Sequence, residues 1–345
     1  RQTWETIETY NAGIDFATLN NRLSGTFDYF IKDNKNMFYA EEFPTILGTS
    51  APSINGAHVR TNGWELTLNW KDKIGKVGYR IGLNLSDNKT KVISLSDSRN
   101  PGHGLMGFVE GYPTNSFFIY EFDGFIKDEA DLADYKTKMK GGVPTNLRVG
   151  DAKYVDKDGD GVLEPTLYKE GDPNSGDIVY KGTNNQRYLY GINLGLDWKG
   201  IDVSAFLQGV GKWDCINGTY AGGGEVWKQS SQYFYHNTWS PDRPNAEYPR
   251  LTQDGGIHGY NYQWSDAPYK FFNNRYLRLK EVQIGYTFPT TLTKKIGVEK
   301  LRVYATGMNL LEWDNLPNGF DPEAPYTENL IPFSRTYSIG VNVQF

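Results

Sequence analysis

No run of about 18 apolar residues occurs anywhere in the 345-residue chain, so no stretch is long and oily enough to cross a bilayer as a helix. Cys215 is the only cysteine, which excludes an internal disulfide and a thiolate metal site. Basic clusters are absent and the net charge is −5, which argues against nucleic acid as a partner. The four histidines, His58, His103, His236 and His258, are scattered, and neither H-E-x-x-H nor G-x-S-x-G occurs. With no catalytic constellation in view, a transport or binding role is favoured over an enzyme. Helix signals are confined to a possible turn at Asp128 to Lys140.

What the chain has instead is aromatics (15%), 38 glycines and a period of two. The last stretch, Ser334 to Phe345, sets Tyr337, Ile339, Val341, Val343 and Phe345 on one face and Ser338, Gly340, Asn342 and Gln344 on the other. The same alternation predicts strands at Thr6 to Thr18, Leu23 to Ile31, Gly63 to Trp70 and Val77 to Leu85. It returns at Tyr188 to Trp198, Ile201 to Gly209, Tyr276 to Phe288 and, least regularly, Leu301 to Trp313. Leu277 and Leu279 are out of phase with Val282, Ile284 and Tyr286, which predicts a bulge near Lys280–Glu281. Mean hydropathy is −0.59. Alternating strands cancel in such an average, so the value does not exclude a membrane.

Short turns alternate strictly with long loops, expected at about 33–62, 92–187, 211–274 and 314–333. In outer-membrane barrels the short turns are periplasmic and the long loops extracellular. Each of the five strands running toward the short-turn end finishes on an aromatic: Phe16, Trp70, Trp198, Phe288 and Phe345. Every one is in phase with its strand's apolar face, as a periplasmic aromatic girdle requires. The expectation is therefore an all-β fold, an antiparallel transmembrane β-barrel, rather than a soluble sandwich or adhesin. Nine strands that begin and end in the same direction make an odd count, whereas single-chain bacterial barrels have an even one. Further strands are expected ahead of Arg1, and residues 1–345 read as the carboxy-terminal portion of a barrel.

Several stretches together carry a family signature: W-E-T-I-E-T-Y-N-A-G-I-D-F (4–16), R-L-S-G-T-F-D-Y-F (22–30), N-G-W-E-L (62–66), E-G-Y-P (110–113) and G-D-A-K-Y-V-D-K-D-G-D-G (150–161). They continue with Y-L-R-L-K-E-V-Q-I-G-Y-T-F-P (276–289), L-R-V-Y-A-T-G-M-N-L-L (301–311) and D-P-E (321–323). In these the chain resembles the SusC/RagA family of TonB-dependent outer-membrane transporters of Bacteroidetes. The resemblance implies a barrel of about 22 strands closed by an amino-terminal plug, with plug and TonB box outside this sequence. It also implies a SusD-like surface lipoprotein as a hinged lid, TonB as the energy source, and import of oligosaccharides or, alternatively, oligopeptides. A stand-alone barrel enzyme is the rival from another class.

Two constellations are candidate sites. Asp156, Asp158 and Asp160 with Gly161 match positions 1, 3, 5 and 6 of a calcium loop, with Glu164 at position 9 as a further ligand. Ca²⁺ is favoured over Mg²⁺, against the alternative of an Asp/Gly turn bonded to its own amides. Trp213, Trp227, Trp239 and Trp264 lie in the 211–274 loop. Trp227, Trp239 and Trp264 are the candidate substrate contacts, against the alternative that they pack the loop or meet the lid.

Overall fold

A computed structural model describes residues 3–40, 48, 53–96, 101–173, 175–216, 236–316, 321–323 and 333–345. In chain order the elements are β1 (Thr6–Thr18), β2 (Leu23–Ala40), β3 (Ser53–Ile74), β4 (Val77–Leu95), β5 (Gly104–Met106), β6 (Ser116–Tyr120) and β7 (Phe122–Phe125). Then come α1 (Glu129–Lys138), β8 (Ala152–Tyr154), β9 (Ile178–Thr183), β10 (Arg187–Trp198), β11 (Ile201–Lys212), β12 (Asp214–Ile216) and α2 (Gly255–Asn261). The last are β13 (Phe271–Asn273), β14 (Tyr276–Thr287), β15 (Lys300–Asp314) and β16 (Thr336–Gln344).

Nine of these form one antiparallel sheet in the order β1-β2-β3-β4-β10-β11-β14-β15-β16, the nine strands that the alternation predicts. Register keeps the apolar residues in step. One row runs Leu23–Trp70–Ile81–Leu194–Ala205–Val282–Gly307–Tyr337 across eight strands. Among the described residues nothing covers this face: Tyr10, Ile14, Phe27, Ile81, Leu194, Ile284, Ile339 and Val341 are all exposed. Exposing such side chains to water forfeits on the order of 1.5–3 kcal/mol each. The face is built for lipid.

Short turns close one end of the sheet. Leu19, Asn20 and Asn21 all have left-handed φ between β1 and β2, and Lys199–Gly200 (φ 47 and 86) makes the mirror-image two-residue turn that suits the twist of β10 and β11. The five aromatics stand at this end. Phe16 and Trp198 are exposed on the apolar face, Trp70 donates from Nε1 to Tyr79 Oη at 3.2 Å, Phe288 lies against Tyr286, and Phe345 is exposed.

At the other end the boundaries differ from the sequence expectation. The stretch 33–62 is largely strand, because β2 continues to Ala40 and β3 begins at Ser53. Likewise β4 reaches Leu95, β11 reaches Lys212 and β15 reaches Asp314. Beyond the apolar belt both faces meet polar surroundings, so alternation disappears while backbone pairing goes on. Where β10 leaves the edge of β4, the E-G-Y-P stretch takes its place: Val92 donates to Tyr112 O at 2.9 Å and Gly111 donates to Val92 O at 3.0 Å. The predicted bulge is present, with the β14 register shifting between Leu279 and Glu281. Opposite it Asn309 is left-handed (φ 54), which gives β15 its irregular pattern.

Candidate functional site

The second face of the sheet is polar, and two pairs of its charges are held together. Arg80 Nη1 lies 2.9 Å from Asp197 Oδ2, and Arg302 Nε donates to Asp202 Oδ1 at 3.0 Å with Nη2 reaching Gln283 Oε1 at 2.7 Å. Two glycines make room for these long side chains. A Cβ on Gly195 would sit 2.3 Å from Arg80 Nε, and one on Gly285 would sit 2.4 Å from Arg302 Nη2. Between the pairs the face offers Thr67, Asn84, Asn193, Ser204, Gln283 and Thr306, with Thr67 Oγ1 donating to Asn84 Oδ1 and Gln283 Nε2 to Thr306 Oγ1, both at 3.1 Å. The surface has many neutral donors and acceptors, and it also carries Asp15, Asp28 and Glu65, which form no ion pair among the described residues.

Above the long-loop end, segments expected to be irregular form a folded body. Its core is Phe118, Tyr120, Ile126, Leu132, Tyr135, Leu147, Tyr154, Ile178, Ile257 and Tyr260 with their neighbours, drawn from both the 92–187 and the 211–274 stretches. The stretch Asn115 to Ile126 is a broken ribbon, β6 and then β7, with β6 wholly buried. The Asp128–Lys140 signal is the helix α1. Asp128 caps it by accepting from Asp131 N, Glu129 and Asp131 oppose the dipole at its start, and Lys136 and Lys138 do so at its end. Tyr135 Oη and Tyr260 Oη share a 2.9 Å hydrogen bond, and Tyr154 Oη donates to Tyr260 O at 2.9 Å. Tyr120 N donates to Trp264 O at 3.0 Å, and Asn261 Nδ2 to Asp151 Oδ1 at 2.9 Å. Lys181 bridges Glu121 at 2.7 Å and Asp266 at 2.8 Å, again joining the two stretches. The hydrogen bonds from Lys157 and Lys181 hold the Glu121 carboxyl below its usual range.

The Asp-rich loop is part of this body. Carboxylate oxygens of Asp156, Asp158 and Asp160 all lie within 4.8 Å of one another. The same carboxylates also take backbone amides: Asp156 accepts from Gly159 N at Oδ1 and from Gly161 N at Oδ2, both at 2.8 Å, Asp160 from Val162 N at 2.6 Å, and Asp158 from Asp160 N and Gly176 N, both at 3.2 Å. Glu164 is not a member of the group. Its backbone amide donates to Asp177 Oδ2 at 2.7 Å. Asp177, fully buried, is the neighbouring acid that sequence reading missed, since it lies beyond the span of any loop motif. Burial pushes its carboxyl up, and the charges of Asp156 and Asp158 add to that rise.

The tryptophan candidates do not converge. Trp239 lies against Gly150, where a Cβ would be 2.2 Å from the ring; Gly150 is itself left-handed (φ 90). Trp264 lies over Gly104 and beside Phe117, whose ring centroid is 6.4 Å away. Both are half-buried packing elements of the loop body. Trp213 Nε1 donates to Asn184 Oδ1 at 3.2 Å. Trp227 lies outside the described residues.

The D-P-E stretch acquires a role in the structure. Arg278, on β14 and 1% exposed, reaches Asp321 at 2.7 Å, Glu312 at 2.8 Å and Glu323 at 3.0 Å. Lys280 pairs with Glu323 at 2.9 Å, and Phe333 lies over both cations, 5.5 Å and 5.0 Å from its ring centroid. A buried arginine on the wall thus fastens a segment of the last loop.

No model of a known protein family matches the chain. Among curated relatives, the TonB-dependent receptor P3 of Formosa agariphila is 27% identical over 370 residues, 99% of this chain and 34% of that protein. The TonB-dependent receptor SusC of Bacteroides thetaiotaomicron is 24% identical over 369 residues, 99% of this chain and 32% of that protein. Among solved structures, that of the RagAB peptide transporter superposes with a TM-score of 0.72 at 23% identity, covering 99% of this chain and 36% of that one. The chain spans about a third of the length of the curated relatives it matches. Matched along its length, the chain is similar to a segment of TonB-dependent receptors of the SusC/RagA type, and its antiparallel sheet with an exposed apolar face is that of an outer-membrane β-barrel.

Proposed function

We propose that the chain supplies barrel wall and extracellular cap to an importer of oligomeric nutrients, glycan oligosaccharides foremost. It works with TonB, with the amino-terminal part of the same barrel, and with a SusD-like lipoprotein as lid. One observation carries this reading: a polar strand face rich in amides and hydroxyls, with Arg80–Asp197 and Arg302–Asp202 paired on it, leads up to a cap with its own core. Amides and hydroxyls suit hydroxyl-rich oligomers, and a cap with its own core suits repeated docking of a lid. Trp239 and Trp264 are half-buried, and what remains exposed of their rings is offered to substrate at the cap. Oligopeptide import is the second reading, favoured by the likeness to the RagAB peptide transporter. Cells lacking the full-length receptor are expected to lose growth on their glycan while keeping growth on peptide. The opposite pattern would assign peptides, and failure of any lipoprotein to co-purify would remove the lid.

The Asp156–Asp160 loop is proposed to hold Ca²⁺, with Mg²⁺ as the weaker alternative. Support comes from the three convergent carboxylates and from Asp177, whose raised carboxyl a nearby dication would bring down. Extracellular calcium sites bind at about 10⁻⁴–10⁻³ M. Calcium in that range is expected to slow proteolysis within residues 156–177, and chelator to restore it. The Asp156→Asn, Asp158→Asn double variant is expected to be indifferent to both. Equal cleavage of the parent protein with calcium and with chelator would leave the loop as an Asp/Gly turn bonded to its own amides.

A further inference from the structure

At the long-loop end the lipid-facing surface changes from aromatic to charged. Tyr29 and Trp64 are register partners on adjacent strands, and two steps higher the same face carries the row Glu8–Asp33–Arg60–Lys91 across β1 to β4. Lys89 lies one step below Lys91, opposite Asn62. Three acids here are matched. Glu8 takes Lys35 at 2.7 Å, Asp33 takes Arg60 at 2.9 Å and His58 at 2.8 Å, and Asp87 takes Arg187. Lys89 and Lys91 are exposed and form no ion pair among the described residues. The rim therefore keeps two surplus cations on its outward side. They are about 7 Å apart along one strand, and Arg60 stands beside Lys91 at about 5 Å.

We propose that Lys89 and Lys91, flanked by Arg60, bind the phosphate-bearing headgroup of an anionic glycolipid of the outer leaflet. The position follows from the sheet itself: long loops mark the extracellular end, and the row sits immediately above the aromatics where acyl chains give way to headgroups. The chemistry follows from the surplus charge. A phosphate monoester carries nearly two negative charges, and two ammonium groups at this spacing meet it from one strand while the apolar residues below hold the acyl chains. Pairing Arg60 with Asp33 fixes its guanidinium beside the site rather than leaving it to swing into solvent.

The test uses the full-length receptor in nanodiscs of phosphatidylethanolamine doped with monophosphoryl lipid A or with its dephosphorylated form, and native mass spectrometry of the lipids retained. The parent protein is expected to keep the phosphorylated lipid in preference to the other. The Lys89→Glu, Lys91→Glu variant is expected to lose that preference, and Lys89→Arg, Lys91→Arg to keep it. At about fivefold per lysine near an anionic surface, retention falls about thirtyfold in Lys89→Ala, Lys91→Ala. Heat-modifiable migration of each variant verifies that the barrel is intact. Equal retention of both lipids by the parent, or equal retention by parent and alanine variant, would overturn the site. Displacement of the lipid by millimolar inorganic phosphate would show a free-anion site and overturn the lipid assignment.

Discussion

Replacing Arg278 with Met is expected to destabilise the wall and its attached loop by about 3–5 kcal/mol, the cost of removing one partner from a buried ionic cluster. Arg278, 1% exposed, faces Asp321 and Glu323, whose side chains are 5% and 13% exposed, and the 34% exposed Glu312. Without the guanidinium these carboxylates repel one another, and Lys280 with Arg335, 3.5 Å from Glu312, cannot reach all three. Limited proteolysis near Asp321 should become fast, and the temperature at which the barrel loses its compact migration in detergent should fall. Lys280→Met is the control, at about 1 kcal/mol or less, since a partly exposed lysine pair is screened by water.

The same cluster sets an acid limit. Burial pushes the Asp321 carboxyl up, but Arg278 and the amides of Phe333 and Glu323 outweigh it and hold the group below its ordinary value. A carboxyl depressed in the folded state contributes stability that is present above its unfolded pKa of about 4 and is lost as pH falls through the folded value. The parent protein is therefore expected to release the segment only below about pH 4. In Arg278→Met the opposing pull is gone and release should begin at higher pH. An unchanged acid midpoint would show that Asp321 is held by the backbone alone.

How much of this was legible in the sequence depends on what each residue faces. Val77 to Leu85 could be read directly, because one side meets lipid and the other a polar lumen, and nothing else sustains so strict an alternation. Past Ile31 the chain reads K-D-N-K-N, and the pattern vanishes although the pairing of β2 with β3 continues to Ala40 and Ser53. Backbone hydrogen bonds leave no hydrophobic signature when both faces are wet. The bulge at Lys280 was legible because it inverts a phase, whereas the left-handed Asn309 opposite it was only felt as irregularity. In the cap, β5, β8, β12 and β13 are three residues each, too short to show any period. Its core joins residues as far apart as Tyr154 and Tyr260, so the two stretches look like loops when each is read alone. The Asp156–Gly161 motif was visible because its carboxylates are local; Asp177 and its bond to the Glu164 amide were not, because both depend on where a later segment returns.

That joined core carries the second large expectation. Tyr154→Ala should cost the cap about 3–5 kcal/mol, the range for emptying a buried aromatic site. Tyr154 is 1% exposed, packs against Tyr120, Phe122 and Tyr260, and donates to Tyr260 O and Asn261 O, so it touches both stretches that build the cap. Tyr154→Phe keeps the ring and loses only the hydroxyl, leaving two buried carbonyls without that donor, at about 1–3 kcal/mol. The nine-stranded sheet draws nothing from this core, since its own apolar face is turned to lipid. The alanine variant should therefore still assemble as a heat-modifiable barrel while residues 101–183 and 236–274 become protease-sensitive and substrate uptake is lost. If the variant fails to assemble, cap and wall fold as one unit. If it assembles and transports normally, the cap is no part of the import route, and the polar strand face must serve substrate alone.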